Sequence, residues 1–253
     1  MIYRSWRQGK YFMTKLQFVL TDKNSREEIY SLYLKIIAHV DAVFTKIALN
    51  HFIVPNCMDT IVSKLFHNYK YFIPFTINAE RLVTKQQAKN AVDTAVLSAA
   101  VAVSKNLSLN SVRKITEAAL LHDAGMLCIP DEVLNKKESL SVSDYKYILT
   151  HTVQTYKIIE KELDCSKGVE EIALQHHEAW NGKGYPKKLS GKDILPEARI
   201  IAVTSAFVAM NSDRLYRPSL GIENAVAKIV SNAGIQFDPE IVKAFVHHNQ
   251  KQT

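Results

Sequence analysis

Apolar residues three and four positions apart recur along most of this chain, and that period leaves little room for anything but packed helices. Ser25-Arg26-Glu27-Glu28 has the form of a capping box. Ile29, Leu32, Tyr33, Ile36, Ile37, Val40, Val43, Phe44 and Ile47 follow at helical spacing, so a long amphipathic helix is expected to begin there. A stripe that wide needs a partner surface, which predicts that this segment packs on the rest of the protein. Ile61, Leu65 and Tyr69 continue the pattern up to an expected break near Pro74, and Val92, Val96, Ala99 and Val103 place a helix over 86–105. Ser108 or Asn110 opens the next helix, whose face of Val112, Ile115, Ala119 and Leu120 runs into His122-Asp123 before turns at Gly125 and Pro130. Ser141 or Ser143 is placed to cap a helix carrying His151, 169–180 reads as a helix carrying His176 and His177, and helices over 198–210 and 222–233 follow. A period-two stretch occurs only near Leu16 to Leu20, and no internal repeat is found. The expected fold class is all-α.

Composition narrows the class further. With 253 residues, 47% of them hydrophobic, the chain can bury one large core and a smaller one. Eight glycines and seven prolines are too few for low-complexity linkers. The longest apolar run, Ala95 to Val103, contains a serine and falls short of the roughly 18 residues that cross a bilayer, so no membrane association is expected. Arg4, Arg7 and Lys10 precede Phe18-Val19-Leu20, a stretch too brief for the apolar centre of a signal peptide, and a cytoplasmic location is the expectation. Met13 is an alternative start to Met1. Cys57, Cys128 and Cys165 form no close pair, which argues against a disulfide framework and for buried small hydrophobes. A net charge of +7 permits an anionic ligand, but the lysines are scattered rather than striped, and DNA is not an expected partner.

The chemistry concentrates in a few residues. His176-His177 runs through Glu178-Ala179-Trp180-Asn181 into Gly182-Lys183-Gly184-Tyr185-Pro186, and His122-Asp123 and a lone His151 precede it. Imidazole and carboxylate suit hard or borderline divalent metals. Each histidine alone is explained as a core or surface residue; the joint pattern is not. Neighbours on a helix project about 100° apart, so one site can use both members of a doublet only if they face different metals or one bridges two. Doublets on two helices are therefore an economical way to build a cluster of metals that activates water and clamps the oxygens of a phosphoryl displacement. The glycines let backbone approach a substrate closely, whereas Trp180 reads equally well as a plug beneath the turn.

At these residues the chain resembles the HD-GYP domains, a branch of the HD phosphohydrolases that degrade the bacterial second messenger cyclic di-GMP. The resemblance runs from about Gln86 to Val246 through AALLHDAG, IPDEVLNK, the lone histidine, HHEAWNGKGYP, the Leu189 to Ile194 segment, ARIIAV, SDRLYR and GIQFDPEIV, in the family's order and spacing. It implies an HD-domain-type helical bundle over 81–253; residues 1–80 lie outside the resemblance and read as an additional, mainly helical N-terminal segment of unknown role that extends the bundle or mediates a homodimer. It also implies a site of two or three metals, commonly iron or manganese, that opens the phosphodiester to pGpG or GMP.

Carried over residue by residue, the resemblance makes His122, Asp123, His151, His176 and His177 metal ligands, with Asp123 the bridge between two ions. Asp123 and Tyr185 become the catalytic candidates, and Tyr185, Arg214 and Arg217 the contacts to cyclic di-GMP or a related nucleotide. The planar fork of arginine suits phosphate or a guanine edge. Other family positions are substituted. The first family histidine falls on Asn90, a glutamate on Gln86, an aspartate ligand on Ser205, a second aspartate on Val208, a lysine on Met126, and the aspartate before the GYP turn on Asn181. Most of the losses at Asn90, Gln86, Ser205, Val208 and Met126 are expected to converge on one side of the site, leaving one metal only His122 and Asp123 while the other keeps Asp123, His151 and His176 with His177 close by. The expected occupancy is reduced, to as few as one ion.

Three readings follow. The first is a degenerate domain in cyclic di-GMP signalling, with weak or absent phosphodiesterase activity and a role in binding nucleotide or a protein partner. The second is a working phosphodiesterase with an altered, mononuclear site that uses Asn90, Gln86 or Ser205 as weak oxygen ligands. The third keeps the His/Asp set only as buried hydrogen-bonding groups.

Overall fold

The apolar face that begins at Ile29 forms helix α1 (Lys23–Ala48) in the computed structural model, which describes residues 23–49, 57–77, 85–134, 136, 138–213 and 218–247. Leu16 to Leu20, Met1, Met13, Arg214 and Arg217 lie outside the described residues. Helix α1 starts two residues before the expected cap, so Ser25 lies within its first turn. Tyr33, Ile36, Ile37, Val40, Val43, Phe44 and Ile47 are all buried. Helix α2 (Cys57–Ile77) packs against α1, with Phe72 and Phe75 each 5.7 Å from the Tyr33 ring. Pro74 does not break α2 but stands inside its last turn, where the loss of one amide donor costs least.

Helix α3 (Gln86–Ser104) is the central element, packed by α1, by α2 and by α4 (Leu109–Leu121). Its alanines at 88, 91, 95, 99, 100 and 102 are all buried, and their small side chains let neighbours approach on several sides. A polar group ties α1 to α3 in this core. Asp93 receives the Lys89 Nζ at 2.6 Å and the Tyr33 hydroxyl at 2.5 Å. Burial pushes the Asp93 carboxyl up to about 6, against the opposing pull of Lys89 and Tyr33.

Beyond α4, a 3-10 turn (Ala124–Cys128) and a single helical turn, α5 (Asp131–Leu134), lead to α6 (Val142–Leu149) and α7 (His151–Glu162). Ser141 caps α6 in a reciprocal box with Asp144. The capped helix ends at Leu149, however, and His151 opens the next helix instead of lying within the first. Helix α8 (Val169–Leu174) is also shorter than the expected 169–180, so His176 and His177 sit in the turns that follow it. Helices α9 (Pro196–Asn211) and α10 (Ile222–Ser231) lie near the expected positions. Helix α11 (Pro239–His247) was not expected; Ile241, Val242 and Phe245 bury one face of it, and Phe245 meets Phe207 of α9 at 5.3 Å.

Among the described residues the only β feature is an isolated bridge between Ala233 and Phe237, so the architecture is all-α as expected. No described helix is long and apolar enough to cross a membrane. Two cysteines depart from expectation, Cys128 being exposed at the end of the 3-10 turn and Cys165 half-buried, while the Cys57 side chain lies outside those described.

Candidate metal centre

Three histidines reach the site by the same local device. The Nδ1 atoms of His122, His151 and His176 lie 2.7, 2.8 and 2.6 Å from the carbonyls of Ala119, Ile148 and Ala173, each three residues earlier. A carbonyl only accepts, so each Nδ1 carries the hydrogen and donates it, and Nε2 is turned toward the site. Such a hydrogen bond fixes ring orientation and raises ligand basicity.

All three Nε2 atoms converge on Asp123. Its Oδ2 is 3.1 Å from His122, and its Oδ1 is 3.3 Å from His151 and 3.6 Å from His176. The Nε2 atoms of His151 and His176 are themselves only 3.5 Å apart, two lone pairs facing one another when both rings are neutral. His177 completes the group, because one donor atom from each of Asp123, His151, His176 and His177 lies within 4.8 Å of the others. Three imidazole nitrogens and a carboxylate oxygen around one point fit a divalent cation, which would relieve the opposed lone pairs. His122 stands apart from that group, on the other carboxylate oxygen.

Adjacent residues can share the site because neither doublet lies on a regular helix. His122 is the C-cap of α4, Asp123 leaves the helix at φ −105° and ψ 12°, and α8 has ended before His176. The expected 100° separation of helical neighbours therefore does not apply.

Electrostatics sorts the donors. Burial drives His176 down to about 4 and His177 well below the usual histidine range, so both are neutral near pH 7, as ligands must be. Burial also opposes the ionised forms of His122 and Asp123, but their mutual charge and hydrogen bond outweigh it, raising His122 and holding Asp123 well below the carboxylate range. The Asp123 side chain keeps 38% of its surface open, which leaves a way in from solvent.

Tyr185 stacks on His177, with centroids 4.8 Å apart and planes at 21°. Burial, then the Asp123 charge, raises its phenol further above the usual range, so the hydroxyl keeps its proton. Gly125 lets the HD turn press on α7, because a Cβ there would lie 2.1 Å from the His151 carbonyl oxygen. Thr155, one turn beyond His151, accepts from the Gly125 amide at 2.8 Å and donates to the His122 carbonyl at 3.1 Å. Sequence reading missed Thr155 and the buried Glu178; the only signal for the latter was its place directly after the histidine pair.

The substituted positions form a different environment. Asn90 Oδ1 accepts from the Gln86 amide at 2.8 Å and the Ser212 hydroxyl at 3.1 Å, while Gln87 donates to the Asp123 carbonyl at 3.2 Å. Ser205 donates to Ala202 within its own helix at 3.5 Å, and Val208 is buried. Trp180 lies beneath the Arg199 guanidinium at 5.8 Å.

The sequence profile of the HD domain matches residues 75–241. The chain belongs to the HD domain family. Within the HD domain family, its motif order and its relatives assign it to the HD-GYP branch. It is 36% identical over 146 residues to a cyclic di-GMP phosphodiesterase of Vibrio cholerae, covering 55% of this chain and 30% of that protein. It is also 36% identical over 152 residues to a cyclic di-GMP phosphodiesterase of Thermotoga maritima, covering 59% of this chain and 41% of that one. This HD domain protein thus spans well under half the length of those curated relatives. Its fold is similar to that of Bd1817, an HDG"Y"P protein of Bdellovibrio bacteriovorus, with a TM-score of 0.64 and 20% identity over 98% of this chain and 78% of that one.

Proposed function

We propose that this HD-GYP protein, over 81–253, binds cyclic di-GMP or a closely related cyclic dinucleotide at a site holding a single divalent ion, iron or manganese, with weak or absent phosphodiesterase turnover. The observation that carries this reading is the asymmetry around Asp123. His151, His176 and His177 gather with Asp123 at one point, while Asn90 of α3, whose first turn reaches the Asp123 carbonyl through Gln87, is engaged by the Gln86 amide and the Ser212 hydroxyl. Asp123, His151, His176 and His177 would hold the ion, and His122 would steady the free carboxylate oxygen of Asp123. When bound, the ion supplies positive charge to phosphodiester oxygens and acidifies a coordinated water; a lone ion lacks the paired clamp on attacking and leaving oxygens. Tyr185, protonated near neutral pH, would donate its hydroxyl hydrogen to the nucleotide. Arg214 and Arg217 are proposed as further nucleotide contacts from the family motif alone. Residues 1–80 are proposed as a separate segment in sequence that shares the core through α1 and α2, with a protein partner in signalling or a second copy of the chain as its target.

One observation favours an active enzyme instead. Gln86 Oε1 is buried and accepts no hydrogen bond among the described residues, so it is available as a weak oxygen ligand for a second ion. Anaerobic incubation with cyclic di-GMP and Fe(II) or Mn(II), followed by chromatography for pGpG and GMP, separates the two. Intact nucleotide, retained on the protein in equilibrium dialysis, is the expected result; product that disappears in His176→Ala would establish the enzyme. Failure of the wild type to bind the nucleotide at all would overturn both.

A further inference from the structure

We propose that Glu178 is the positioning residue of this site: its carboxylate, seated on two backbone amides, holds Tyr185 against His177. The inference rests on the reading of Tyr185 as a nucleotide contact and deepens it. Glu178 follows the histidine pair directly and is only 3% exposed. A carboxylate that deep is costly unless its oxygens meet donors. It finds them just past the tyrosine, where the Lys187 amide donates to Oε1 at 2.6 Å and the Leu189 amide to Oε2 at 2.9 Å. Between these two donors Lys188 adopts φ 57°, left-handed backbone that a lysine rarely takes up. Alternate amides around such a residue form a concave anion site, and here the anion is supplied by the protein itself.

The segment between clamp and histidines is drawn tight. The Tyr185 amide donates to the His177 carbonyl at 3.1 Å, and the Gly182 amide to the Ala179 carbonyl at 2.8 Å. A Cβ on Gly184 would lie 2.2 Å from the Ala179 nitrogen, so the turn lies flat on the chain that leaves His177. Gln175 extends the anchoring by accepting the Leu195 amide at 2.9 Å. With both ends of the turn pinned, the Tyr185 ring has its place over the His177 imidazole. Glutamine at 178 keeps the shape but turns one acceptor into an NH2 group facing a backbone N–H. One of the two hydrogen bonds is then lost, along with the charge that holds Lys188 left-handed.

The test uses the full chain labelled with 3-fluorotyrosine, with the Tyr185 resonance among the eleven tyrosines identified by Tyr185→Phe. In Glu178→Gln the Tyr185 fluorine signal is expected to move and broaden while signals of tyrosines remote from the turn hold. Trypsin should cut after Lys187 or Lys188 at least about tenfold faster, with helical circular dichroism retained. Cyclic di-GMP affinity should fall about tenfold, and adding Tyr185→Ala should cost little more, since the two act as a unit. Glu178→Asp, with the charge kept but one methylene shorter, should fall between wild type and Glu178→Gln. An unmoved Tyr185 signal with unchanged trypsin cleavage would overturn the inference. So would loss of the helical signal in both variants, which would make Glu178 a residue of the fold. If the wild type binds no cyclic di-GMP, the functional reading fails, while the fluorine and trypsin measurements still decide the role of Glu178.

Discussion

The two sides of Asp123 solve opposite problems. On the Oδ1 side, the Nε2 atoms of His151 and His176 converge on the carboxylate and on each other from 3.3 to 3.6 Å, an arrangement that opposes lone pairs when both rings are neutral and that a cation would relieve. On the α3 side, Asn90 accepts hydrogen bonds from Gln86 and Ser212, and the groups satisfy one another with no net charge and, save for Gln86 Oε1, no loose acceptor. A ligand set is recognisable by its unmet demand. Convergent acceptors without donors call for a metal, whereas a network of amides and hydroxyls has already met its needs.

The strongest challenge to this comparison removes the scaffold of the neutral side. Asp93→Asn leaves Lys89 buried without its carboxylate on the helix that carries Gln86 and Asn90. It should cost about 3–5 kcal/mol of stability, measured by urea unfolding. If the loss is negligible, the polar group in α3 does not hold that helix in place.

Next in size is the pH dependence of the metal-free protein. His176 is depressed from 6.5 to about 4 by burial, so as pH falls the unfolded chain takes up the proton first. Its contribution is present in full above pH 6.5 and should be lost as pH falls toward 4, on the order of 3 kcal/mol in all. Asp93, raised to about 6, works in the opposite sense, gaining stability for the folded state as pH falls from 6 toward 3.8. The difference between wild type and His176→Asn in urea midpoint across this range isolates the histidine; parallel curves would show that His176 is not buried as a neutral ring.

Metal affinity sharpens the contrast directly. His176→Ala should weaken Mn(II) binding by more than about 100-fold in a titration followed by electron paramagnetic resonance, since loss of an outer-shell partner alone typically costs about 10- to 100-fold. Asn90→Ala, on the neutral side, should change it by less than about threefold. Equal losses in the two variants would erase the distinction between the sides. Asn90→His combined with Ser205→Asp should raise bound metal from about one ion per chain to about two by elemental analysis, because it supplies an imidazole and a carboxylate where neutral groups stand. Unchanged stoichiometry would mean that those positions do not face Asp123.

The helical period announced α1 and α4 because each buries a continuous stripe, and a stripe is a local property of the chain. Helix α11 escaped notice although Ile241, Val242 and Phe245 carry the same spacing, since nine residues hold too few repeats to stand out. Helix ends were legible where a side chain caps its own backbone, as at Ser108 and Ser141. They were illegible at Leu174 and Leu149, where the chain leaves the helix to bring His176 and His151 to a common point.

By itself, the order of residues determined an all-α chain, the motif series of the HD-GYP branch, and the types of donor available to a metal, because periodicity and side-chain chemistry are written locally. Only the tertiary structure decided that four of those donors share one centre while His122 takes the far oxygen of Asp123. It likewise decided that Asn90 is tied up with Gln86 and Ser212, and that Glu178 grips the turn bearing Tyr185. Each of those facts depends on atoms brought within hydrogen-bond distance from separated parts of the chain, and such distances are set by how helices and turns pack.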